Sequence, residues 1–157
     1  MAGEFRNVAI EVRSGEQFQV RIGSELRTGD LYYLGISPDN PDFNCSAHVG
    51  LQRLIDGWVQ TILHNPEGVL FYLPFDFSDE FTRWLACEKH GSEITVVFGW
   101  APVEGWSFSP SQFQEFSRKL EDFHPDEPAN PQTFYTPAFL SALRRSRAMI
   151  GNPAQRQ

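Results

Sequence analysis

The sequence predicts an α+β fold, with a mostly antiparallel sheet of hairpins and about three helices packed against it. Paired runs of alternating apolar residues indicate hairpins, and apolar stripes at helical spacing separate them along the chain. Strict alternation of strand and helix is absent, which disfavours a doubly wound parallel sheet. At 157 residues, the chain is long enough to bury a core within one domain.

The first hairpin is predicted near the start of the chain. Apolar residues alternate with polar ones from Val8 to Val12 and again from Phe18 to Ile22, across the turn residues 14–16. A third, more buried strand is predicted over residues 31–36. Residues 37–44 are rich in Pro, Asp and Asn and indicate a loop.

The strongest helix signal follows this loop. Ser46 is a candidate N-cap, and the apolar residues between Leu51 and Leu63 recur at helical spacing. A strand is predicted over residues 69–75. Two further strands, over 81–88 and 94–98, indicate a second hairpin because they are rich in β-branched and aromatic residues.

Two more helices are predicted in the last third of the chain. One begins with a capping box at residues 109–112, with Pro110 at its first position, and continues to Phe123. Residues 125–137 contain four prolines and predict an extended connector. A short basic helix begins at Thr136. We therefore expect a single α+β domain over residues 1–124, with a proline-rich connector and basic helix over 125–157 packed on it.

The charge is unevenly distributed. Residues 1–135 contain all twenty Asp and Glu but nine Lys and Arg, a net charge of −11, whereas residues 136–157 carry +4. An acidic body repels phosphate, so nucleic acid is a poor candidate ligand, and it attracts basic proteins. Solubility alone would also explain a negative surface. With two cysteines, no apolar leader and no membrane-length segment, we expect a cytoplasmic protein without membrane contact.

No recognisable reaction centre stands out in the sequence. Cys45 and His48 form an isolated pair, whereas a structural zinc site needs four ligands. The alternating Asn and Asp residues at 40–44 lack the glycine and the final glutamate of a calcium loop. A nucleophile elbow and a phosphate-binding loop are both missing. We therefore expect no catalytic residues, no metal and no cofactor, and a core role for the thiol of Cys87.

Acidic and aromatic residues between positions 76 and 106 are the candidate binding residues. The acids in DFSDE follow a predicted strand. Some hydrolases use such paired carboxylates in catalysis, but an exposed acidic turn is the commoner reason for such a cluster. Tryptophans flank the next loop, as interface anchors or as core residues. The predicted partner-binding set is Asp76, Asp79, Glu80, Trp100, Glu104 and Trp106.

Three segments carry a family resemblance: residues 73–79 (LPFDFSD), residues 82–85 (TRWL) and residues 105–111 (GWSFSPS). In these the chain resembles bacterial immunity proteins of polymorphic or contact-dependent toxin systems. The resemblance covers about the central third of the chain and implies a cytosolic, non-catalytic protein with one cognate toxin domain.

These observations predict an acidic inhibitor, monomer or homodimer, that binds a basic toxin domain and covers its active cleft. The alternative is a small-molecule-binding domain or an enzyme of an unrecognised family. A third reading is an oligomeric adaptor that uses residues 125–157.

Overall fold

The computed structural model describes residues 8–13, 16–35, 47–105, 107–108 and 113–151. The predicted loop over 37–44, the capping box over 109–112, Cys45 and Trp106 lie outside the described residues. Within the described residues, the fold is α+β with two antiparallel sheets, which confirms the predicted class.

The first sheet has three strands in the order β1-β2-β3: Val8–Val12, Gln17–Ile22 and Glu25–Asp30. The predicted hairpin is therefore correct, but the third strand was wrongly placed at 31–36. A tight turn at Gly23, where φ is 61°, returns the chain at once, so that residues 25–30 pair with β2. The apolar run after them forms a short 3₁₀ helix, Tyr32–Gly35.

The second sheet has five strands, β4 (Phe71–Phe77), β5 (Thr82–His90), β6 (Glu93–Ala101), β7 (His124–Pro125) and β8 (Gln132–Tyr135). The predicted second hairpin is confirmed as β5-β6, with longer strands than the sequence indicated. The extended proline-rich connector supplies β7 and β8, and both pair with β6.

The described residues form two α-helices, α1 (Ala47–His64) and α2 (Thr136–Gly151), not about three. The helix predicted to end at Phe123 is wrong, because only a 3₁₀ turn forms, Phe113–Glu115. Instead, this segment forms hydrogen bonds with the edge strand β4. Tyr72 N–H donates to the carbonyl of Ser117 at 2.7 Å, and Ser117 Oγ donates to the carbonyl of Tyr72 at 3.0 Å. Neither described helix has the length and apolar composition needed to cross a membrane.

Apolar side chains cover both faces of the five-stranded sheet. On one face, Trp84 stacks on Phe108, with ring centroids 5.6 Å apart. On the other, the Phe98 ring meets Phe75 edge-on, and the guanidinium of Arg27 from β3 lies 4.5 Å from its centroid. The three-stranded sheet therefore reaches the larger sheet through β3, and the end of that shared face carries the candidate site.

Candidate functional site

The structure brings five of the six predicted binding residues to one end of the five-stranded sheet. Asp76 and Trp100 lie near the ends of β4 and β6, and Asp79 and Glu80 form the β4–β5 turn. Glu104 lies in the segment that follows β6. A hydrogen bond of 2.7 Å from Gly105 N–H to the carbonyl of Ser78 holds that segment against the turn. Trp106 lies outside the described residues.

Asp76 lies within β4 rather than in an exposed turn after it. The register of β4 against β5 shifts between Pro74 and Asp76, and Asp76 is paired with Arg83. One carboxylate oxygen accepts the N–H of Asp30 at 3.1 Å, and the other lies 3.9 Å from Arg83 Nε. Desolvation raises the pKa of this half-buried carboxyl, although the Asp30 hydrogen bond and Arg83 both act to lower it. Asp79 and Glu80 are exposed, as an acidic turn requires.

An open cleft of about 640 Å³ lies beside Asp30, whose N–H donates to Asp76, and we call it the acidic–tyrosine cleft. It is lined by Asp30, Tyr32, Tyr33, Phe77, Ser78 and Asp79. The hydroxyl of Tyr33 donates to Asp79, and the two tyrosine rings meet edge-on at 5.2 Å. Tyr32 is 65% exposed, and its N–H donates to the carboxylate of Asp30 at 2.7 Å.

The two tyrosines of this cleft are not among the predicted binding residues, because the sequence pattern predicts a buried strand over residues 31–36. The run LYYLG does contain a signal, since tyrosine joins an apolar ring to a hydroxyl and is frequent at interfaces. The tight turn at Gly23 places the third strand at residues 25–30, so both tyrosines lie after the strand.

A second concavity of about 330 Å³ lies beside Arg83, and we call it the tryptophan pocket. It is lined by Phe81, Arg83, Trp100 and Asp126. Trp100 is 39% exposed and stacks on His124, with centroids 4.5 Å apart and planes at 19°. Asp126 is held by Arg27 through a contact of 3.0 Å. No local sequence pattern indicates Asp126 or His124, which reach Trp100 because β7 pairs with the end of β6.

The structure separates core tryptophans from surface ones. Trp84 and Trp58 are fully buried, and each indole N–H donates a hydrogen bond, to Thr82 Oγ1 at 2.6 Å and to the carbonyl of Pro74 at 2.8 Å. Trp100 keeps a substantial exposed area. Of the two readings that the sequence left open, the core reading fits Trp84 and the surface reading fits Trp100.

Cys87 lies in β5, where it pairs with Phe71 and Val96. Cys87 is fully buried, and desolvation raises the pKa of its thiol well above the usual value, as expected for a core residue. In the portion of the chain that the structure describes, no group of three His, Cys, Asp or Glu side chains is placed to hold a metal ion.

Comparison with known proteins gives no relative from which a function could be transferred. No protein-family model matches the chain. The searches of curated proteins and of solved structures likewise find no match.

Proposed function

We propose that this protein is a non-catalytic acidic inhibitor that binds a basic protein partner through the end of the five-stranded sheet. The observation that carries the proposal is the acidic–tyrosine cleft, which combines carboxylates with exposed aromatic rings. Such a surface suits a cationic side chain, because a carboxylate pairs with its charge while an aromatic face attracts it.

Asp30 and Asp79 line this cleft. Glu80 follows Asp79 in the β4–β5 turn, and Glu104 precedes Gly105, whose N–H is bonded to Ser78 of the cleft lining. Tyr32 presents an exposed ring at the cleft. A buried aromatic anchor with a charged rim is the usual composition of an affinity-determining cluster in a protein interface. We expect the partner to insert a lysine or arginine side chain beside Tyr32. This side chain becomes buried on binding.

The finer form of the proposal is an immunity protein in the bacterial cytoplasm. The partner would be a toxin domain whose positively charged active cleft is covered by this surface. Complementary charge mainly raises the association rate and excludes wrong partners, whereas aromatic anchors contribute more of the affinity. The acidic body, with its net charge of −11 over residues 1–135, supplies the long-range part of that attraction.

The test is affinity capture of the tagged protein from its own host, followed by mass spectrometry. Three proteins are compared: wild type, the double variant D79K/E80K, and the control E11K, which reverses an exposed acid on β1 in the other sheet. A basic protein that is recovered in stoichiometric amount with wild type and E11K, but not with D79K/E80K, would support the proposal. Equal recovery with all three, or recovery of no basic protein, would refute it.

A further inference from the structure

We propose that the tryptophan pocket is a binding site for a small planar aromatic carboxylate. This inference goes beyond the proposed function and does not rest on it, because the pocket and the acidic–tyrosine cleft are lined by different residues. The lining joins two aromatic rings, Phe81 and Trp100, with one cation, Arg83, and one carboxylate, Asp126. The rings and the cation define the two halves of the ligand.

The aromatic half follows from Trp100 and its neighbours. His124 stacks on the indole at 4.5 Å, and Phe81 meets it edge-on at 6.2 Å. The imidazole does not line the pocket, whereas the indole does. His124 therefore holds the ring in place, and the exposed part of Trp100 remains for a ligand ring to contact. A rigid, preorganised aromatic wall favours a planar apolar group.

The anionic half follows from a comparison of the two ion pairs beside the pocket. Arg27 Nε donates to Asp126 at 3.0 Å, and the same guanidinium contacts Glu25 at 3.3 Å, so Asp126 already has a cationic partner that it shares with Glu25. Arg83 lies 3.9 Å from Asp76, which is too long for a hydrogen bond, and its side chain is 42% exposed. The guanidinium of Arg83 thus retains donors that a carboxylate can accept in a two-pronged arrangement.

The size of the pocket limits the ligand. A volume of about 330 Å³ is at the lower end of small-molecule sites. One aromatic ring, or two fused rings, with a directly attached carboxylate fits this volume. Indole-3-carboxylate is a suitable probe, and indole-3-carboxamide is its matched neutral analogue, with the same shape but no charge.

The experiment is titration of the full-length protein with each probe, followed by ligand-observed NMR and calorimetry. The pocket is expected to bind the carboxylate saturably and the carboxamide at least about tenfold more weakly, as the loss of one charge-assisted contact predicts. Equal affinity for the two probes would overturn the assignment of Arg83. If indole-3-carboxylate shows no saturable binding at concentrations up to about 10 mM, the proposed site is wrong.

Variants locate the binding. R83Q is expected to weaken carboxylate binding about tenfold or more while leaving carboxamide binding nearly unchanged. R83K keeps the charge opposite Asp76 but lacks the planar fork, so it should be intermediate. W100L should weaken both probes. R144Q, at an exposed arginine of α2, is the control. Thermal melts confirm that each variant folds, and unchanged binding in folded R83Q and W100L would contradict the proposal.

Discussion

Asp76 and Arg83 pair across β4 and β5, with a carboxylate oxygen of Asp76 lying 3.9 Å from Arg83 Nε. Asp76 also accepts the N–H of Asp30, which lines the cleft, and Arg83 lines the pocket. One half-buried carboxylate therefore contacts the rims of both concavities. Its protonation and its removal are the most informative perturbations of this end of the molecule.

The raised pKa of Asp76 predicts a specific pH dependence of stability. Desolvation makes the folded protein hold this proton more tightly than the unfolded chain does, for which 3.8 is the ordinary value. As pH rises from below 3.8 through the raised pKa, the folded state must give up that proton, so this residue's contribution to stability falls.

The variant D76N lacks this proton, so its stability relative to wild type is expected to rise from acid to neutral pH. Urea unfolding of both proteins across that range measures the difference. E80Q, at an exposed acid of the adjacent β4–β5 turn, is the control for loss of one negative charge. A D76N curve that runs parallel to wild type at every pH would contradict the prediction.

We expect substitution by alanine to change the free energy of unfolding differently at Gly50 and Gly57 of α1. A Cβ at Gly50 would lie 1.9 Å from the backbone carbonyl oxygen of Leu34, whereas at Gly57 its nearest atom would be a ring carbon of Phe113 at 2.7 Å. Backbone cannot yield as a side chain does, so G50A should lower the free energy of unfolding by about 1–3 kcal/mol, despite its helix-propensity gain.

The variant G57A gains the same helix propensity, about 1 kcal/mol, and should cost less than G50A. Chemical denaturation of the two variants provides the comparison. A G50A protein as stable as G57A would show that the close packing of α1 against the Tyr32–Gly35 turn is not as described.

We expect substitution by phenylalanine to destabilise the protein more at a buried, hydrogen-bonded tryptophan than at a partly exposed one. W58F leaves the carbonyl of Pro74 without the donor it has at 2.8 Å, inside the core. An unsatisfied buried acceptor costs about 1–3 kcal/mol, so the unfolding midpoint in urea should fall clearly. W100F, at a partly exposed ring, should remain near wild type. Similar losses in both variants would contradict the assignment of core and surface roles.

Arg27 is predicted to join the two sheets. Its guanidinium pairs with Asp126 at 3.0 Å and lies over Phe98 at 4.5 Å, so it links β3 to the larger sheet. R27M keeps the apolar stem and removes the charge, and should destabilise the protein by about 1–3 kcal/mol, since a partly buried carboxylate loses its donor. R53M, at an exposed arginine of α1, is the matched control. Equal stability of the two variants would remove Arg27 from this role.

Much of the fold followed from period and turn signals. The first hairpin is predicted by the alternation over residues 8–12 and 17–22, and α1 is predicted by its apolar stripe. Each pattern marks the one buried face of a regular element. The helix predicted before Phe123 failed because its apolar spacing reflects packing on the sheet, while the carbonyl of Ser117 is taken by Tyr72. A local pattern does not reveal such tertiary competition for a backbone group.

The candidate site was predictable only in part. Asp79, Glu80 and Trp100 stand out by residue type, and the hairpin signals brought them to one sheet end. Asp30, Tyr32 and Asp126 lie far from them in sequence and reach the site through strand pairing and inter-sheet packing. Such neighbours depend on strand order and on the packing of the two sheets, which local sequence patterns do not reveal.

We propose that a basic partner is attracted to the acidic end of the five-stranded sheet. The most direct measurement is the association rate of the captured partner with wild type, D79K/E80K and E11K at low and high salt. We predict an association rate for D79K/E80K that is about tenfold lower at low salt and converges with wild type at high salt, while E11K stays close to wild type. An unchanged rate for D79K/E80K at low salt would contradict the account.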